Sequence, residues 1–296
     1  MELLLKMQWK YLDLLWDSPQ QKKETIASNG RIFITAVRDK DVPVSLFTVT
    51  EEQGKDAPLL RPYPDWSWYK DDCKGITDGV YQIEIRCNQL FVVDGGRIGE
   101  DQRCLPQLLI FDLSTDKLIK RVPINIAHNE NAWGSLASVA VFIGSTEGYG
   151  LVVYNGHTSK LCRVVSDFMK PTDLFFTIAN ERYLLDDSIY DLYYAALTGN
   201  KIYKMEISKL IECPSNVKQT NRQTQLAGAL GSPTAALASD RCAIFFSDIT
   251  KYSIMCADTT KEINPSNKEL IASDSKQLEF PSGLKIRHGE LLILIK

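Results

Sequence analysis

The chain of 296 residues has no excess of positive charge: 34 basic against 37 acidic side chains leave a formal net charge of −3. Nucleic-acid binding draws its strength from neutralising backbone phosphates, so this balance, with no basic stripe, sets nucleic acid aside as a partner. A run of roughly eighteen apolar residues is also lacking, so neither a membrane-spanning helix nor a membrane partner is expected. The opening MELLLK has three leucines before Lys6, too short for a signal-peptide core, and no small-residue cleavage site follows. Either the chain is intracellular or its leader lies outside this sequence. Asn-x-Ser/Thr acceptors are absent, since Asn264 is followed by Pro265. Histidine is scarce (His128, His157 and His288) and no CxxC pair occurs, so a zinc site has little support. No Gly-rich phosphate loop follows a strand, and no histidine sits in a nucleophile motif. No metal and no cofactor are expected.

What is present is an ordinary globular composition, 44% hydrophobic and 24% charged, enough for a sizeable core. Seven cysteines are spread widely, at 73, 87, 104, 162, 213, 242 and 256. Composition leaves two readings open, buried free thiols or disulfides, and the latter require an oxidising compartment. Residues 61–73, RPYPDWSWYKDDC, crowd two tryptophans, two tyrosines, two prolines and a cysteine into one segment. That density suits a ligand-binding aromatic patch at Trp66 and Trp68, a nucleic-acid stacking platform, which the lack of a cationic field sets aside, or a rigid piece of scaffold. The scaffold reading is preferred. Paired carboxylates at Asp71–Asp72 and Asp186–Asp187 read as solvated turns.

Helical periodicity is weak, with a short helix expected at Gln20–Ala27 and one turn at Ile207–Ile211. The recurring unit is a β-rich run, a polar turn and a second run. Hydrophobic triplets begin near 46, 109, 151, 202 and 253, the last four spaced by 42, 51 and 51 residues. Further β-like runs stand at Leu90–Val93, Val139–Ile143, Leu192–Ala196, Ala243–Phe246 and Leu291–Ile295. About four strands per unit at this period predicts an all-β fold of the β-propeller kind, with a β-sandwich as the rival. The chain reads as a single domain over 1–296. Its last blade is expected to be incomplete, or closed by the N-terminal MQWKYLDLLW.

Several segments carry a family resemblance: WKYLDLLWDS, GRIFITAVRDKDVPVSLFTV, RPYPDWSWYKDDCKGITDGVYQIEIRC, LFVVDGGR, CLPQLLIFDL, GYGLVVY and LEFPSGLKI. Collinear and spread over nearly the whole chain, they resemble the Yellow / major royal jelly protein family. The resemblance implies a six-bladed β-propeller secreted by arthropods. It implies roles ranging from pigment-related cuticle proteins, some with dopachrome-converting activity, to nutritive jelly proteins and salivary binders of biogenic amines. The chain departs from the pattern in several places: only Ser28–Gly30 joins the expected helix to the RIFIT run, and the segments before GYGLVVY and between Ile178 and Leu192 are short. The family's strand after LLIL is missing. A truncated gene product and a naturally reduced member are both open readings.

The resemblance further implies a disulfide between Cys73 and Cys104, worth roughly 3–4 kcal/mol for a loop of that length. Cys87, Cys162 and Cys213 are left open, and Cys242 and Cys256 flank a hairpin across which they could face each other. Asp94, closing the run VVDGG, is either a carboxylate at a channel mouth, ready for an ammonium or metal, or a turn residue satisfying backbone N–H groups; the turn is preferred. The amine-recognising positions of the salivary members fall on Pro281, after the aromatic Phe280, and on Lys296. Pro281 has no hydroxyl and Lys296 would repel an amine, so that site is not intact. The expectation is a secreted binding protein for small amine or catechol ligands, with catalysis disfavoured. The alternatives are a dopachrome isomerase or tautomerase of pigment metabolism, and a structural or nutritive protein with no small-molecule site. Nothing in the residues speaks to oligomeric state.

Overall fold

The computed structural model describes residues 31–36, 38, 42–55, 57–70, 72–77, 80, 83–99, 101–125, 136–137, 142–145, 150–156, 158–170, 191–196, 199–240, 243–287 and 290–295. The expected helix at Gln20–Ala27, all three histidines, Cys242, Asp71, the Asp186–Asp187 pair and Lys296 lie outside these residues. The chain divides into two compact units, one of residues 4–129 and one of residues 130–296 joined by Met1–Leu3. Among the described residues the architecture is all-β, built from antiparallel sheets in chain order, with two short helices.

In the first unit, β1 (Phe33–Thr35), β2 (Leu46–Gln53) and β3 (Pro58–Pro62) form a three-stranded meander. β4 (Ile83–Arg86) and β5 (Gln89–Asp94) are followed by a small ribbon, β6 (Arg97–Ile98) and β7 (Asp101–Gln102). β8 (Gln107–Asp112) and β9 (Lys117–Pro123) then complete a four-stranded sheet in the order β4-β5-β8-β9. The β4–β5 hairpin turns on Cys87 and Asn88, both at positive φ (49° and 59°), as a two-residue turn matching the twist of its strands requires. Period-2 alternation gives each sheet an apolar face, and two such faces meet here. Leu46, Phe47 and Leu60 of the first sheet pack with Leu90, Val92, Leu109 and Phe111 of the second, all without exposed surface. Each side chain so buried contributes on the order of 1.5–3 kcal/mol.

The second unit repeats the scheme. β10 (Leu136–Ala137), β11 (Phe142–Ser145), β12 (Gly150–Asn155) and β13 (Lys160–Val165) form one meander. β14 (Asp191–Tyr194), β15 (Lys201–Glu206) and β16 (Gln225–Ala229) form the next, with α1 (Ile207–Ile211) and α2 (Val217–Gln223) between β15 and β16. α1 falls where one helical turn is expected. α2, capped by Asn216 accepting the Gln219 N–H at 3.0 Å, is a helix the weak periodicity does not announce. β17 (Leu237–Asp240), β18 (Ala243–Asp248), β19 (Ser253–Asp258) and β20 (Glu269–Ser273) make a four-stranded sheet, and β21 (Pro281–Arg287) with β22 (Glu290–Ile295) a hairpin. Leu151, Val153 and Val164 pack against Leu192, Tyr194 and Met205. Tyr193 and Ile202 pack against Leu237, Ile244 and Phe246. Ala238, Ile254 and Ala272 pack against Leu284. Within each unit, consecutive sheets thus bury facing sides against one another.

Candidate functional site

The ring-rich segment leaves β3 and is locked from both ends. Asp65 accepts the Ser67 N–H at 2.7 Å and caps a single 3-10 turn over Trp66–Trp68. The Trp68 ring meets Phe111 edge-on at 5.0 Å, and Tyr63 meets Phe33 and Phe111 in the same way at 5.0 and 5.6 Å. The Tyr63 hydroxyl donates to Asp116 at 2.9 Å, and Arg31 pairs with the other oxygen of that carboxylate at 2.8 Å. The Tyr69 hydroxyl lies within hydrogen-bond reach of the Tyr63 and Leu46 carbonyls, at 2.6 and 3.0 Å. Burial drives both phenols above their ordinary range, and the Asp116 carboxylate adds to the effect at Tyr63. Gly75 is required: a Cβ there would lie 1.8 Å from the Trp68 carbonyl. Tyr63 and Tyr69 lie in the core between the first two sheets, with Trp66 and Trp68 packed against it.

Asp94 ends β5 with no exposed surface. Its Oδ2 accepts the Thr77 N–H at 3.0 Å and a Gln107 Nε2–H at 2.8 Å, and its Oδ1 accepts the Gly96 N–H at 3.0 Å. Gln107 gives its other amide hydrogen to the Gly75 carbonyl at 2.8 Å, and its oxygen accepts from Arg121, which also donates to the Lys74 carbonyl. Arg121 stands over Trp68, 6.0 Å from its centroid. A buried carboxylate is tolerated only with such donors around it. Here they hold the 74–77 segment, the Gly95–Gly96 turn and β8 together. The disulfide Cys73–Cys104, with 5.6 Å between Cα atoms, closes the same region, and the Thr77 hydroxyl donates to Cys104 Sγ at 3.2 Å. Both oxygens of Asp94 point at protein donors, the arrangement of a turn-stabilising carboxylate.

In the second unit Phe280 is 4% exposed and packs with Ile249 and Ala235, while Pro281 is buried at the start of β21, opposite Ile295. The ring of Phe280 and the pyrrolidine of Pro281 are buried within their own unit, and Asp94 belongs to the other. A second disulfide joins Cys162 on β13 to Cys213 after α1, with 6.0 Å between Cα atoms. Wide spacing leaves that pairing unreadable in the sequence. Cys256 is a free thiol lying opposite Phe245 in the β18–β19 ladder, so it does not pair across the hairpin. Its pKa is raised by burial and by the nearby Glu269 carboxylate. Cys87 is free and exposed. Among the described residues no cluster of three His, Cys, Asp or Glu side chains is placed to hold a metal, and no helix is long and apolar enough to cross a membrane. Thr77, Gln107 and Arg121 go unnoticed in the sequence. The one available signal is Gln107, a polar residue opening the apolar run QLLIF.

The sequence model of a family described as "Major royal jelly protein" matches residues 79–295. Major royal jelly protein 8 of Apis mellifera is 28% identical over 334 aligned positions, covering 97% of this chain and 80% of the relative. Major royal jelly protein 9 of the same organism is 29% identical, covering 95% and 76%. Among solved structures, one titled "Crystal structure of Nidogen/Laminin Complex" superposes with a TM-score of 0.55 over 89% of this chain and 85% of that one, at 11% identity. At that identity the likeness is one of fold alone.

Proposed function

The chain belongs to the major royal jelly protein family, and from that premise we propose that it is a secreted, Yellow-like β-propeller that acts outside the cell by binding rather than by catalysis. The observation that carries the extracellular reading is a pair of disulfides, one in each compact unit. Such bonds persist in oxidising compartments and are rare where thiols are kept reduced. Among the described residues, six successive meanders or hairpins, β1–β3 through β21–β22 with the small β6–β7 ribbon set apart, support six blades in a single domain over 1–296, and the stacking of consecutive sheets within each unit supports the same reading. The ligand class is a small amine or catechol, recognised by groups other than Asp94, Phe280 and Pro281, which are committed to the interior.

That commitment favours a second reading, a structural or nutritive extracellular protein without a small-molecule site. Titration calorimetry with serotonin, dopamine and octopamine separates the two: the binding reading expects saturable heat, and silence at high micromolar ligand sinks it. Loss of dopachrome colour above the buffer rate would instead move the protein to catalysis.

A further inference from the structure

The β12–β13 hairpin carries chemistry that the proposed function does not use. Asn155 is the last residue of β12 and pairs with Lys160, and Gly156 follows it in the connecting turn. Gly156 is exposed, and a Cβ built on it meets nothing within 4 Å. Among the described residues its backbone N–H donates to no acceptor. The Asn155 carboxamide is not idle: its Oδ1 accepts the Thr158 N–H at 3.2 Å. A donor on that oxygen draws electron density from Cγ and makes it a better electrophile.

We propose that Asn155–Gly156 is a modification site, at which the protein deamidates spontaneously through a succinimide to aspartate and isoaspartate. The Gly156 nitrogen, having lost its proton to hydroxide, attacks Cγ of Asn155. A bond forms between that nitrogen and Cγ, the bond from Cγ to Nδ2 breaks, and ammonia leaves with the proton it gains from solvent. Water then opens the five-membered ring at either carbonyl, restoring the normal backbone with an aspartate at this position or routing the backbone through Cγ as isoaspartate. Glycine at the second position matters twice, because it lacks a Cβ to obstruct ring closure and because its backbone reaches the required conformations freely. An N–H held in a strand ladder would be withheld from this reaction; the one at Gly156 is not. The product carries one more negative charge, taking the formal net charge from −3 to −4. In the isoaspartyl form an extra methylene enters the backbone at residue 155, the end of the β12–β13 ladder, whose partner Lys160 lies two residues before the disulfide-bonded Cys162.

The test incubates the folded, oxidised full-length protein in mildly alkaline buffer and follows the peptide containing Asn155 by mass spectrometry. Isoaspartate is counted by an isoaspartyl carboxyl methyltransferase, and peptide mapping separates this position from the other Asn-Gly pair, Asn29–Gly30. The expected result is conversion of Asn155 in the folded protein at a rate near that of the urea-unfolded protein, with a matching acidic shift on ion exchange. Gly156→Ala, for which the structure has room, is expected to slow conversion on the order of tenfold, equivalent to about 1.4 kcal/mol of barrier. Asn155 remaining intact while the unfolded protein deamidates would overturn the proposal, and so would equal rates in wild type and Gly156→Ala.

Discussion

Asp94 shows how one buried carboxylate is spent on architecture. It accepts from Thr77, Gly96 and Gln107, so Asp94→Asn replaces an acceptor oxygen with an amide that confronts donors. The expected cost is about 3 kcal/mol, from weakened charge-assisted bonds and an unsatisfied buried N–H. A thermal melt in parallel with ligand titration checks it: lost binding heat with an unchanged melting temperature would make Asp94 a ligand group after all. Tyr194 makes a prediction about pH. Burial raises its phenol from 10 to about 12, while its hydroxyl meets Thr224 Oγ1 at 2.9 Å. A folded-state pKa above the unfolded one contributes stability that is complete below about pH 10 and is lost as pH rises through about 12. Alkaline unfolding followed by circular dichroism is expected to lose part of its slope in that window in Tyr194→Phe. At neutral pH the same variant loses about 1 kcal/mol with the hydrogen bond.

At the scale of elements, the strand pairs were legible because period-2 hydrophobicity and polar turns are local properties. The runs at Leu90–Val93 and Ala243–Phe246 lie inside β5 and β18, and the triplets near 109 and 253 fall in β8 and β19, their ladder partners. α2 escaped because its seven residues, VKQTNRQ, carry no apolar stripe; the Asn216 cap and the burial of Thr220 place it. The disulfides act at this scale too. Loops of 31 and 51 residues imply about 4 kcal/mol each from the lost entropy of the unfolded state. Replacing Cys73 and Cys104 together by alanine, or Cys162 and Cys213 together, is expected to lower the melting temperature measurably in both cases. A pair whose removal leaves the melt unchanged would not be bonded in solution.

For the whole molecule, the single-domain reading predicts one cooperative thermal transition with equal calorimetric and van't Hoff enthalpies. Two resolved transitions would instead assign independent stability to residues 4–129 and 130–296. By itself the sequence determined the all-β class, the spacing of the sheets and the family, because each follows from local periodicity or collinear motifs. Only the tertiary structure decided that Cys162 meets Cys213, that Asp94 is closed off by Thr77 and Gln107, and that Tyr63 packs on Phe33 and Phe111 and Trp68 on Phe111. Those outcomes rest on contacts between positions far apart in sequence. A carboxylate, a thiol or an indole has the same chemistry whether it faces a ligand or a backbone amide, and only the fold chooses between them.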